Sequence, residues 1–218
     1  MSGENTRLPR AAYLLGTAEA ARRLLGCRLV RHVKGQRLAG MIAETEAYLG
    51  RQDLGCHASR ARSERVKAMY GPPGHAYVYF VYGMYHCLNA VTQPMGQPEA
   101  VLIRALQPTE GIDVQRENRR NRRTGAPPSD LNVASGPGKL CRALAIDLTL
   151  YGTDLVAGEE LWIEEGEELR ADRIASGPRL GIDYAGEWAA KPLRFWIAGN
   201  PYVSGARRGS VQGAEVTI

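Results

Sequence analysis

Between Ala68 and Pro98 the chain carries no Asp, Glu, Lys or Arg, and inside that interval residues 77–86 (YVYFVYGMYH) gather four of the ten tyrosines and one of the two phenylalanines. Aromatic and β-branched residues favour strands and Gly83 supplies a break, so the run predicts a β-hairpin. Alternation sends Tyr77, Tyr79 and Val81 to one face and Val78, Phe80 and Tyr82 to the other. One face can build core while the other serves as a platform for stacking flat aromatic ligands such as nucleobases.

The flanking pattern predicts helices and strands around this run. Thr17 stands where a helix N-cap would, followed by Glu19, Ala20, Ala21 and Leu24 and closed by Gly26. Residues 27–33 alternate as a strand, Lys34-Gly35-Gln36 turns, and 37–48 return as a longer strand that Leu49-Gly50 stops. After the turn Gly71-Pro72-Pro73-Gly74 come the tyrosine strand, a second strand over 85–91, and an apolar run over 100–105 interrupted by Arg104. Helical spacing over 110–123 ends in Arg116, Arg119, Arg120, Arg122 and Arg123, which form either a solvated face or a basic end for nucleic acid. Further on, the pattern predicts a helix through Ala145, strands at 161–163 and 193–198, and a loop over 181–188. No low-complexity linker divides the chain, so one domain is expected over 1–204 and a flexible tail over 205–218.

Composition narrows the classes. A hydrophobic content of 44% with 23% charged residues describes a globular chain that buries a core. The formal charge of +5 comes mainly from arginine, whose forked donors suit phosphate. Many soluble domains are mildly basic, so placement must carry any argument for nucleic acid. Cys27, Cys56, Cys87 and Cys141 never form C-x-x-C, which excludes a zinc finger or a disulfide framework; buried free thiols, no metal and no cofactor are expected. The first ten residues lack an apolar core and the uncharged 68–98 interval is broken by prolines and glycines. Neither secretion nor a membrane span is expected; the expected location is the cytoplasm or nucleoid of a prokaryote, or the nucleus of a eukaryote.

Candidate chemistry begins at the end of the long strand. There alternation puts Glu44, Glu46 and Tyr48 on one side, with the two carboxylates roughly 7 Å apart. They form either a solvated face paired with arginines or a general base with a stacking neighbour. Arg104, inside an apolar strand, requires an anion. Ser135-Gly136-Pro137-Gly138-Lys139 looks like half a phosphate loop, but Leu140 stands where Ser or Thr would hold magnesium. What remains is a turn and helix start whose amides, with Lys139, can hold a DNA phosphate.

The stretches ETEAYLG (44–50), YVYFVYGMYHCLN (77–89), VLIRAL (101–106), SGPGKLCRALAI (135–146) and AGEWAAKPLRFW (185–196) closely resemble the alkyladenine, or 3-methylpurine, DNA glycosylase family. The resemblance runs in order from about Leu24 to Ser204. It implies an α+β fold: a single mixed domain on a curved, mainly antiparallel β-sheet surrounded by helices, unrelated to the helix-hairpin-helix glycosylases. It also implies base-excision repair, in which alkylated or deaminated purines (3-methyladenine, 7-methylguanine, hypoxanthine, ethenoadenine) are flipped from double-stranded DNA and released by hydrolysis.

By the same resemblance, Glu46 matches the general base that activates water for attack on C1′. Tyr48, His57 and Tyr79 match the walls around the extruded base, and Tyr82 matches the side chain that wedges into the duplex. Asn89 matches the residue whose bulk opposes the amino group of guanine. Arg104 matches the arginine near the flipped phosphate and the water, and the carbonyl of Leu180, beside Arg179, matches another water ligand; Leu180 replaces a smaller apolar residue. Tyr79 and Tyr82 lie on opposite faces of an ideal strand, so the strand is expected to end near Val81, with Tyr82-Gly83 an exposed tip and Tyr77 structural.

No lysine sits in a Schiff-base context, and the resemblance implies a monofunctional enzyme that leaves an abasic site; a monomer is expected. Three rival classes fit less well. A sugar O-glycosidase needs carboxylates flanking a bond, whereas Glu44 and Glu46 point the same way. A passive single-strand binder has no use for Glu46, and a metal-dependent hydrolase lacks a ligand set.

Overall fold

In this computed structural model, which describes residues 6–60, 62–121 and 123–205, the long strand of the sequence pattern is the axis of an eight-stranded sheet. Strand β1 (Arg28–Val33) turns through Lys34 and Gly35, both at positive φ, into β2 (Gln36–Tyr48). The tyrosine strand β3 (Ala76–Val81) pairs with β4 (Tyr85–Thr92), β4 with β5 (Glu99–Glu110), and β5 with the length of β2. On the other side of β2 lie β6 (Leu161–Glu164), β7 (Ile174–Gly177) and β8 (Arg194–Ile197): β6 pairs with β1, β8 with β2, and β7 with β8. Every pairing is antiparallel. Because β2 outruns β1, its second half is free to take β8 as neighbour, with Glu44 opposite Trp196 and Glu46 opposite Arg194. The register with β5 shifts on both sides of Glu44, an irregularity that bends a strand where it occurs.

Alternation divides the sheet into two buried faces. Ala76, Val78, Leu88, Ala90, Val101 and Ile103 enter the main core. Against them pack Ala20, Ala21 and Leu24 of α1 (Thr17–Leu24), and α3 (Pro137–Ala143), separated from the short helix α2 (Ile112–Asn118) by residues 119–136, adds Leu140 and Cys141. On the opposite face Tyr77, Val91 and Ala100 meet Cys56, Ala58, Val66, Met69 and Tyr70 from the segment that crosses between β2 and β3. Burying each large side chain of this kind contributes about 1.5–3 kcal/mol. The tyrosine strand thus builds core through Val78 and a second, aromatic cluster through Tyr77 and Tyr79. This is the mixed α+β, antiparallel architecture that the sequence pattern and the family resemblance led one to expect.

Several local expectations differ. The N-cap of α1 is Gly16, because the Thr17 hydroxyl is engaged by Thr92 and Glu99 instead of by the helix amides. Helix α2 stops at Asn118, and the Arg142 guanidinium beyond it binds the carbonyls of Asn118 and Arg120. Residues 183–189, inside the expected loop over 181–188, form a 3₁₀ turn, and β7 went unpredicted. All four cysteines are buried free thiols. Arg122 and residues 206–218 of the expected tail lie outside the described residues. Among the described residues no helix is long and apolar enough to cross a membrane.

Candidate active site

Beyond the bend in β2, Thr45 and Ala47 face the main core, where the Thr45 hydroxyl donates to the Ala21 carbonyl. Their neighbours Glu44 and Glu46 are 0% exposed on the other side. A buried carboxylate requires partners, and Glu46 has two hydrogen-bond donors and one cation. The Tyr48 hydroxyl donates to its Oε2 at 2.8 Å, the Leu180 amide to Oε1 at 2.8 Å, and Arg104 Nη1 lies 3.1 Å from Oε1. Burial, then the Glu46 charge, pushes the Tyr48 phenol far above its ordinary value, which keeps its proton available to donate.

Arg104 in β5 meets both carboxylates. Its Nε donates to Glu44 Oε1 at 2.9 Å while Nη1 faces Glu46, and Nη2 reaches the Ser204 hydroxyl at 3.3 Å. Burial penalises this cation, but the Glu46 and Glu44 charges outweigh the penalty and hold it above the usual arginine value. Glu44 is in turn shared: Arg194 Nε donates to its Oε1 at 2.6 Å, and the amide and hydroxyl of Ser204 donate at 2.8 Å and 2.9 Å.

Tyr48, Arg104 and Leu180, the three residues that hold Glu46, all line a pocket of about 250 Å³. Its walls are aromatic: His57 stands edge-on to Tyr79 at 4.6 Å between ring centroids, and Tyr77 and Tyr79 are 5.4 Å apart. His57 Nδ1 is 2.8 Å from the Tyr77 hydroxyl, and burial followed by the charges of Arg65 and Arg60 lowers its pKa to about 4. It is neutral at pH 7. Asn89, 4% exposed, donates from Nδ2 to the Tyr77 carbonyl at 3.0 Å, which fixes its side chain at the pocket edge.

Arg179 lies one layer back. It pairs with Asp53 through two bonds of 2.6 Å and 2.7 Å, donates to the Ala47 carbonyl at 2.9 Å, and stacks at 4.6 Å on the Tyr48 ring. Asp53 also accepts the amides of Leu49 and Gly55, both at 3.0 Å. The pair therefore holds the end of β2, the loop after it and the Leu180 amide in one arrangement.

At the pocket mouth, β3 ends at Val81 and the hairpin tip follows, as expected. Tyr82 adopts φ 54° and Gly83 φ 66°, and the Tyr82 ring is 82% exposed. A bulky residue rarely accepts the left-handed region, so the tip stores about 1–2 kcal/mol of strain to project this ring. Helix α3 underlies the same hairpin: a Cβ on Gly138 would come within 2.9 Å of the Tyr85 ring, so only glycine permits this approach. Lys139, next along, reaches Asn132.

The structure thus gathers Tyr48, His57, Tyr79, Tyr82, Asn89, Arg104 and Leu180 around one pocket, with Glu46 wholly buried behind Tyr48, Arg104 and Leu180, Arg179 one layer back, and Lys139 on α3, a neighbour of β4 and β5. Sequence reasoning missed the roles of Asp53, Cys87, Arg194 and Ser204. Cys87 carried a usable signal, since it is the cross-strand partner of Tyr79 and lines the pocket. Asp53, Arg194 and Ser204 carried none, because their partners are 126, 150 and 160 residues away.

Residues 11–201 match the family model described as Methylpurine-DNA glycosylase (MPG). The chain is 47% identical over 204 residues to a protein of Methanocella arvoryzae, covering 94% of this chain and 98% of that one. It is 45% identical to proteins of Bacillus cereus over 201 residues and Carboxydothermus hydrogenoformans over 197 residues, in each case covering 90% of this chain and 98% of the relative. All three relatives bear the name "Putative 3-methyladenine DNA glycosylase".

Proposed function

We propose, from the premise that the chain belongs to the methylpurine-DNA glycosylase family, that it releases damaged purines from duplex DNA through a water activated by Glu46. The observation that carries the reading is the Glu46 carboxylate, wholly buried and held by two hydrogen bonds and the Arg104 ion pair behind an aromatic pocket. A flipped purine is stacked by Tyr79, His57 and Tyr48, and the cationic 3-methyladenine and 7-methylguanine suit walls of electron-rich rings and a neutral histidine. Asn89 opposes the amino group of guanine. Tyr82 fills the gap left in the duplex, offsetting part of the few kcal/mol of unstacking.

In the hydrolytic step, Glu46 takes a proton from water, the oxygen bonds to C1′, and the glycosidic electron pair departs with the base; a cationic purine thereby leaves neutral, whereas a neutral purine such as hypoxanthine also takes up a proton as it leaves. Positive charge that develops on the sugar is offset by the same carboxylate, as in other reactions through oxocarbenium-like transition states. The Leu180 carbonyl is a second ligand of that water, and Arg104 lies toward the flipped phosphate. Lys139 and the helix start beside it hold the DNA backbone. The enzyme acts as a monomer on hypoxanthine and ethenoadenine as well, needs no metal or cofactor, and stops at the abasic site. Glu46→Gln tests the step: the amide keeps the shape, and Arg104 keeps Glu44 as counterion. Base release from a duplex with one hypoxanthine should fall at least about 10²-fold with damaged-duplex affinity retained. Unchanged release refutes the role of Glu46.

A further inference from the structure

Glu44 is left over from the proposed chemistry. It is as buried as Glu46, two residues away on the same face, and it takes four hydrogen bonds: from Arg104 Nε, Arg194 Nε, and the amide and hydroxyl of Ser204. Two carboxylates that share one guanidinium compete for it, and like charges in one site drive one of them toward its protonated, inactive form. Arg194 supplies the second cation, 2.6 Å from Glu44, and holds its position by stacking at 4.7 Å on Trp196 and donating to the Ser204 carbonyl at 3.0 Å.

We infer that Glu44 and Arg194 form a positioning pair: Glu44 anchors Arg104 through Nε so that Nη1 is presented to Glu46, and Arg194 supplies Glu44 with a cation of its own so that the Arg104 charge is left to Glu46. The inference rests on the reading of Glu46 as general base. Both members come from the place where β2 exchanges β1 for β8 as its neighbour, so this sheet edge delivers the second cation. The other groups facing Glu46 are Tyr48 on its own strand, Tyr79 from β3, Cys87 from β4, Arg104 from β5, and Arg179 with the Leu180 amide from the segment after β7.

The test is the pH dependence of single-turnover release from a 7-methylguanine duplex, whose cationic leaving group needs no proton from the enzyme. Arg194→Gln removes a positive charge, so the acid limb should move up by about one pH unit. Glu44→Gln removes a negative charge and should move it down, while lowering the plateau because Arg104 loses its anchor. The double variant, in which both charges leave together, should restore the limb to near the wild-type position. Thermal melts and damaged-duplex binding report folding, and if one single variant unfolds, the other and the double variant still fix the sign. Limbs that stay in place while plateaus fall would overturn the inference and indicate a merely structural pair. Absence of release by the wild-type enzyme at every pH would instead overturn the reading of the site itself.

Discussion

Asp53→Asn removes one charge from an ion pair whose two side chains are both 0% exposed. The asparagine oxygen can still accept from the amides of Leu49 or Gly55, and Arg179 keeps its bond to the Ala47 carbonyl. What disappears is the counterion, with one of the two short bonds of 2.6 Å and 2.7 Å. Removing one partner of such a pair costs about 3–5 kcal/mol, because the other charge stays buried and uncompensated. At about 2–4 °C per kcal/mol for a chain of this size, Tm should fall by about 10 °C. Urea unfolding followed by tryptophan fluorescence measures the loss, and base release should fall with it because the Leu180 amide follows Arg179 onto Glu46. The double variant Asp53→Asn/Arg179→Met leaves no bare charge and should be more stable than Asp53→Asn alone. A single variant within about 1 kcal/mol of wild type, a change typical of exposed pairs, would refute the reasoning.

Three further outcomes follow from the same geometry. Tyr82→Gly relieves a residue at φ 54° and should leave Tm unchanged or higher while weakening binding to damaged duplex more than to single strands; equal losses on both would mark Tyr82 as packing only. His57 titrates at about 4 in the folded chain, below its ordinary 6.5, so between these values the unfolded chain binds more protons and stability is lost as pH falls from 6.5 toward 4. Melts of wild type and His57→Gln across that window should converge on acidification, and parallel curves would contradict the shift. Lys139→Ala should weaken binding to all duplex sequences alike and lower the salt slope by about one, as a single phosphate contact does, and an unchanged slope would remove Lys139 from the interface.

The parts of the site legible in the sequence are those fixed by local periodicity. Alternation alone put Glu46 and Tyr48 on one face of β2, separated Tyr77 and Tyr79 from Val78, and required anions for Arg104, which are Glu44 and Glu46. The roles of the pocket residues came from block resemblance, and the fold brings them together. Lost to sequence reading were features that depend on distant partners: Thr17 looked like a cap until Thr92 and Glu99 took its hydroxyl, and the arginine run looked helical well past Asn118. Asp53 and Arg194 looked like ordinary charges in loop and strand because tertiary pairing, not spacing, makes them part of the site.

The central claim, hydrolysis of the base–sugar bond by a Glu46-activated water, is tested most directly by product accounting on a duplex with one hypoxanthine. The wild-type enzyme should release free base and create alkali-labile abasic sites in equal amounts, with no strand breaks before alkali and no adduct trapped by borohydride. Glu46→Gln should bind the duplex and produce neither product. Borohydride trapping, or breaks that appear without alkali, would contradict a water nucleophile and a reaction that ends at the abasic site.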